Sequence, residues 1–146
     1  MNMVQVYIKG QEDKELNCFL RYYPVRIKNI GMDAFFDRQV VYDFKDGRNH
    51  ADVAKCVAKM LIMVVGERTA VHGTKVKKEE REKRLKEKNN IEVDANFFKN
   101  KIVCIWDDVV TTGTSFCAYT AQLERVGAHV TNGIFLGKTS YKYVQQ

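Results

Sequence analysis

Val103-Cys104-Ile105-Trp106-Asp107-Asp108-Val109-Val110-Thr111-Thr112-Gly113-Thr114-Ser115 is the stretch on which the reading of this chain turns. An apolar run ends at two adjacent carboxylates. A hydroxyl-rich turn with one glycine follows, and a helix-like stretch begins at about Thr114. Strand, loop and helix N-terminus in that order is how α/β proteins hold an anionic ligand. Ile102 to Trp106 shows no polar alternation, as in strands buried on both faces of a parallel sheet. Phe116, Tyr119, Leu123 and Val126 recur at helical spacing, Gly127 stops the helix, and Val130 to Leu136 reads as the next strand. The unit Ile102–Leu136 is therefore β-loop-α-β, about 35 residues long, the size of a crossover connection.

Upstream, Met3 to Ile8 places Val4, Val6 and Ile8 at alternate positions, a strand pattern with those three pointing inward. Phe19 to Ile27 is aromatic and β-branched and also predicts a strand. Val40 to Phe44 predicts a third, closed by turn chemistry at Asp46-Gly47. With no helix expected between these three, hairpins or a mixed edge follow. Asn49 suits the N-cap of a helix running to about Val65, with Val53, Cys56, Val57, Met60, Leu61 and Val64 as its apolar stripe and Gly66 as its stop.

The chain has 146 residues, which predicts a single domain over 1–146 with room for a real core. Its one proline, Pro24, leaves no proline-rich linker. No apolar run approaches the ~20 residues that cross a bilayer, so no membrane is expected as a partner. The first residues lack the basic start and apolar centre of a signal peptide, and the cytoplasm is the expected compartment. Cys18, Cys56, Cys104 and Cys117 form no CxxC pair and read as reduced core cysteines. His50, His72 and His129 stand at no ligand spacing from them, so no zinc site and no protein-only metal site is expected. His50 and His72 read as surface or capping residues, and Trp106 as core.

The net charge of +6 favours an anionic partner. Most of the excess lies in Lys75 to Lys88, which holds eight Lys or Arg against four Glu. With only Val76 and Leu85 as apolar residues, this segment offers no core face. The pairs Glu79–Lys83, Glu80–Arg84 and Glu82–Lys86 fit a solvated helix. A loop closing over a ligand and a nucleic-acid contact are the alternatives, the latter the less favoured. Gly133-x-x-x-Gly137-Lys138-Thr139 imitates a nucleotide-binding P-loop but is one residue short, with Asn132 where the first glycine should stand.

The loop itself brings four hydroxyls, from Thr111, Thr112, Thr114 and Ser115, to one turn. Gly113 lets backbone approach a ligand, and the amides at the helix start make a phosphate cup. Asp107 and Asp108, expected at the tip of the strand, would repel a phosphate. Their natural partners are sugar hydroxyls or a bound Mg²⁺.

Four apolar residues, two acids and VxTTGTS resemble the phosphoribosyl-pyrophosphate (PRPP) signature of the type I phosphoribosyltransferases. The resemblance covers roughly Ile102–Thr139. It implies an α/β fold in three layers, with a largely parallel sheet of the type I phosphoribosyltransferase kind. It further implies that Asp107 and Asp108 hold the ribose 2′- and 3′-hydroxyls, while the segment from Val109 through Thr111, Thr112, Gly113, Thr114 and Ser115 wraps the 5′-phosphate. The implied reaction displaces pyrophosphate from C1 of PRPP by a nitrogen nucleophile, with Mg²⁺ arriving with the substrate. Val41 to Gly47, Glu80-Arg81 and the closing Gly133 to Thr139 also resemble the ComF-related branch, associated with DNA uptake. PRPP or a related ribose phosphate is thus the expected ligand, a homodimer a further expectation, and a PRPP- or nucleotide-sensing module or a DNA-handling accessory the alternatives to an enzyme. Two departures from the pattern stand out. Thr111 occupies the position of a third acid in purine-salvage members, which disfavours 6-oxopurine transfer. Between about Val65 and Ile102 the chain is short for the strand and pyrophosphate loop of that family, which makes an incomplete sheet the expectation. Arg68, Lys75, Lys77 and Lys78 are the cations available there for the pyrophosphate.

Overall fold

The computed structural model describes residues 3–66 and 93–144. The basic segment 75–88, the cations Arg68, Lys75, Lys77 and Lys78, and His72 lie outside the described residues. The elements run β1 (Val4–Gln5), β2 (Glu15–Tyr22), α1 (Met32–Lys45), α2 (His50–Val65), α3 (Ala95–Phe98), β3 (Ile102–Val110), α4 (Thr114–Arg125) and β4 (His129–Thr139).

Among the described residues the strands form one sheet in the order β1-β2-β4-β3. β2 and β3 both run parallel to β4, with Cys18 opposite Phe135 and Asp107 opposite the same residue from the other side. Only the two-residue β1 is antiparallel, against β2. The protein is thus α/β with a mostly parallel mixed sheet, as the β3–α4–β4 unit predicts.

β4 fills the centre because its residues can be buried on both faces. Phe135 joins one apolar cluster, with Leu16, Cys18, Ile105, Phe116 and Leu123. Ile134 and Leu136 join another, with Val41, Val53 and Val57. Adjacent strand residues point to opposite faces, so α4 covers one side of the sheet while α1 and α2 cover the other. Apolar area removed from water at roughly 25 cal/mol per Å² drives both contacts.

Three expectations are corrected. Val40 to Phe44 is not a strand but the last turns of α1. Ala34 and Val41 are buried two turns apart, a helical spacing that the β-branched pair Val40-Val41 obscures in a short window. The turn at Asp46-Gly47 is present, with Gly47 at φ 79° ending that helix. The second strand starts earlier than Phe19, at Glu15, and stops at Tyr22. Pro24 biases the residue before it and removes a donor, so the ladder cannot run on to Ile27. In the first segment Val6 and Ile8 are buried but Val4 is 43% exposed, and the strand proper is only Val4–Gln5.

α2 matches its expected span and ends at Gly66, whose φ of 74° suits glycine. Val53 and Val57 are buried, Leu61 packs against them in part, and Cys56 is exposed. Asn49 precedes the helix in a left-handed conformation and makes no side-chain cap. β3 is less enclosed than a fully buried strand: Ile105 is buried, Ile102 is 58% exposed, and Trp106 packs edgewise against Phe44 and tilted against Phe19. Among the described residues β3 stands at the end of the sheet order, which is why its outer flank differs from β4. Gly133 to Thr139 is continuous strand, not a P-loop. No helix among the described residues is long and apolar enough to cross a membrane.

Candidate functional site

β2, β4 and β3 are parallel, so their C-terminal ends lie along one edge of the sheet. β3 leads into α4 on one face, and β2 leads towards α1 on the other. In open α/β sheets such a divergence leaves a crevice at the strand ends. The Thr111–Gly113 loop stands at that edge, and a cavity of about 120 Å³ opens there. Asp107, Thr111, Thr112, Gly113, Thr114 and Ser115 all line it, together with Val109, Val110, Phe116 and Phe135.

The loop is short because Gly113 turns it at once into the helix. Gly113 sits at φ 88°, a left-handed conformation that costs an L-residue strain. A Cβ there would meet Ile8 Cγ2 at 2.6 Å, so glycine is required by conformation and by contact. The Gly113 carbonyl accepts from the Cys117 amide at 2.9 Å, closing the first helical turn. The amides ahead of Cys117 have no intrahelical carbonyl to reach. Among the described residues no side-chain cap is made at this helix start. These amides point, with the positive end of the helix dipole, at whatever occupies the cavity.

Hydroxyls brace this cup. Thr112 Oγ1 and Thr114 Oγ1 are 2.9 Å apart across the turn. Thr111 Oγ1 lies 2.8 Å from Thr139 Oγ1, and Lys138 Nζ donates to the Thr111 carbonyl. The end of the central strand thus pins the first residue of the loop. Lys138 and Thr139 are site-supporting residues that motif reading passed over, because the false P-loop pattern drew attention to their spacing and not to their place at a strand end. Ile8, which fills the space behind Gly113, carries no signal in sequence beyond alternation.

The two acids separate. β3 continues through Val110, so Asp107 and Asp108 lie within the strand and not at its tip. Asp107 lines the cavity; Asp108 does not. The Asp108 amide donates to Asp107 Oδ1 at 2.8 Å, and Asp108 Oδ1 accepts from the Val109 amide at 2.7 Å. Burial of the carboxyl pushes Asp107 up to about 6, and the neighbouring Asp108 carboxyl adds to the rise. The Asp108 N–H and the charge of Lys45 pull the other way. As a residue Asp107 still keeps solvent access, so the crowding is local to its carboxyl.

Among the described residues no group of three metal-ligating side chains forms. The Asp107 carboxylate beside the loop fits the chemistry of Mg²⁺, which keeps waters and takes its other oxygens from a substrate. His50, expected at the surface, sets its ring against Phe44 at 4.6 Å with Nε2 2.6 Å from the Phe44 carbonyl, a helix-junction role.

Compared with known proteins, the chain matches no family model, no curated protein and no solved structure.

Proposed function

We propose that the Thr111–Ser115 loop binds the 5′-phosphate of a ribose phosphate, with PRPP as the ligand, and that the protein transfers the phosphoribosyl group to a nitrogen nucleophile. The observation that carries this reading is one cavity lined by a strand carboxylate, a left-handed glycine and an uncapped helix start. The mostly parallel sheet with helices on both faces supports a fold of the type I phosphoribosyltransferase kind.

In this reading each residue has a defined task. The amides of Thr114 and Ser115 donate to phosphate oxygens, together with the one hydroxyl of the Thr112–Thr114 pair whose proton is free of the other. Asp107 accepts from ribose hydroxyls, which holds the sugar ring at the strand end and keeps C1 facing the open side. Lys138 and Thr139 keep Thr111 in place, so the cup is preorganised before the ligand arrives. Mg²⁺, held through Asp107 and the substrate's own oxygens, would neutralise the leaving pyrophosphate. With Thr111 where purine-salvage enzymes have an acid, the nucleophile is expected not to be a 6-oxopurine.

A second reading, binding without turnover, is favoured by the engagement of Asp108. Its carboxylate is spent on the next amide and lies outside the cavity lining. Calorimetric titration with PRPP and Mg²⁺, on the wild type and on Asp107→Asn/Asp108→Asn, tests the site. Binding in the wild type and its loss in the double variant is the expected result. A folded wild type that binds neither PRPP nor ribose 5-phosphate would remove the proposal. Pyrophosphate release with a panel of nitrogen nucleophiles then separates transfer from sensing.

A further inference from the structure

α2 is more apolar than its place in the fold accounts for. Besides His50 it carries only Asp52, Lys55 and Lys59 as polar side chains. Among its described side chains, however, only Val53 and Val57 are buried. Ala54, Ala58 and Ile62 stand at four-residue spacing, all three open to solvent, and Met63 beside them is 78% exposed. A helix that is apolar beyond the stripe meeting its own core is normally covered by something else. α1 repeats the pattern. Ala34 and Val41 face the core, while Met32, Phe35 and Phe36 are exposed. The two rings pack edge to face on each other with centroids 6.1 Å apart. Both helices cover the same face of the sheet, so their outward surfaces look away from it, on the side opposite α4.

The charges beside these apolar groups differ in sign between the two helices. On α1, Asp33 and Asp37 are one turn apart and flank Phe36. Arg38, the cation of that stretch, is turned onto the carbonyls of Tyr23, Pro24 and Ile27. Asp43, farther along, is engaged by Arg48 and Gln39. On α2, Lys55 and Lys59 are one turn apart and lead up to Ile62 and Met63, whereas Asp52 stays in the first turn at the other end. Among the described residues none of Asp33, Asp37, Lys55 and Lys59 makes an ion pair. One helix thus presents acids beside apolar groups, and the other presents bases beside apolar groups. A surface holding both halves is self-complementary under a two-fold axis, because each half meets the opposite half of a second copy.

We propose that this outward face is a homodimer interface in which α1 of each protomer lies against α2 of its partner. Phe35 and Phe36 rest on Ala54, Ala58 and Ile62 of the partner subunit, and Asp33 and Asp37 stand opposite Lys55 and Lys59 of the partner subunit. The two-fold axis makes every such contact twice. Burying the exposed Phe, Ile and Met side chains of both copies removes on the order of 1,000 Å² from water, the area a specific interface needs. A second copy is the occupant because acids and bases occur in equal number on the one chain. The interface stands independently of the ribose-phosphate reading, since none of its residues lines the loop cavity.

Sedimentation velocity on the full chain over a concentration series tests it. The wild type should sediment as a dimer that dissociates on dilution. Phe36→Ser/Met63→Ser changes two exposed side chains and should give a folded monomer at concentrations where the wild type is dimeric. Asp33→Lys/Asp37→Lys and Lys55→Glu/Lys59→Glu should each weaken the dimer about tenfold or more, by setting like charges across it. Mixing those two variants should restore a one-to-one heterodimer as tight as the wild-type dimer. Circular dichroism checks the fold of each, and Asp33→Lys alone replaces the first charge variant if the half-buried Asp37 does not tolerate lysine. A wild type that stays monomeric at the highest concentration, leaving the face to a different protein or to another part of this chain, would overturn the proposal. So would a dimer indifferent to Phe36→Ser/Met63→Ser, or a mixture of charge variants that fails to reassociate.

Discussion

The two faces of the sheet are covered by different means. On one, among the described residues, α4 lies flush: Phe116 is 4% exposed, Leu123 is fully buried, and Phe98 of α3 and Ile8 close the flanks. On the other, α1 and α2 bury Val41, Val53 and Val57 yet leave Met32, Phe35, Phe36, Ile62 and Met63 at the surface. The tight face is also the one whose helix begins at the candidate phosphate cup. Packing there fixes the direction of the amides that a ligand would meet, whereas packing on the looser face serves the core alone.

The comparison can be broken most directly by truncation on each side. Leu123→Ala and Leu136→Ala each remove a fully or almost fully buried leucine, and each should cost about 2–5 kcal/mol in denaturant unfolding. Only Leu123→Ala should also weaken ribose-phosphate binding under conditions where both remain folded. Equal loss of affinity in Leu136→Ala would show that the two faces are not separate in function.

A smaller effect sharpens the same contrast at the loop. Gly113→Ala places a side chain at φ 88° and against Ile8, and should cost about 1–3 kcal/mol. Ile8→Ala removes the contact but not the backbone strain. In the double variant the two losses should therefore sum to less than their separate values, by about 0.5 kcal/mol or more. Strict additivity would mean that Ile8 does not support the loop.

The smallest effect is electrostatic. The Asp107 carboxyl is raised from 3.8 to about 6 in the fold, so the native state binds more protons than the unfolded chain between those values. Stability attributable to this group therefore falls as pH rises from about 4 to 6. Asp107→Asn should match the wild type near pH 4 and exceed it modestly above pH 6, the size limited by the residue's solvent access. A wild type and variant whose melting curves stay parallel across that range would remove the claimed shift.

Legibility differs along the chain for physical reasons. β3, α4 and β4 were readable because each carries a long, unbroken signal: Ile102 to Trp106 without polar interruption, Phe116 and Leu123 at helical spacing, and Gly127 at φ 93° to end the helix. The loop residues that line the cavity were readable as a strand-helix junction because hydroxyls and a glycine mark a helix start. α1 was not, since Phe35 and Phe36 lie on its exposed side and the buried positions Ala34 and Val41 are sparse. The start of β2 was missed because Glu15 and Asn17 interrupt Leu16 and Cys18, the half-buried alternation that a search for apolar runs passes over. The divergence of Asp107 from Asp108 was invisible, because it depends on how far pairing with β4 continues past Trp106.

Arg38 donates to the carbonyls of Tyr23, Pro24 and Ile27, gathering the turn after β2 onto one guanidinium. The centre of β4 does the opposite: it brings layers together by omission. A Cβ at Gly133 would come within 2.8 Å of both Leu16 and Phe116. Phe116 is the third residue of the helix that carries the cup, so a single added methyl at the middle of the sheet would act as a shim. It would tilt the helix start relative to the strand that holds Asp107, and the spacing between the proposed phosphate and sugar contacts would change. Variants selected for a ligand of different length therefore have a short route through position 133, which does not itself line the cavity.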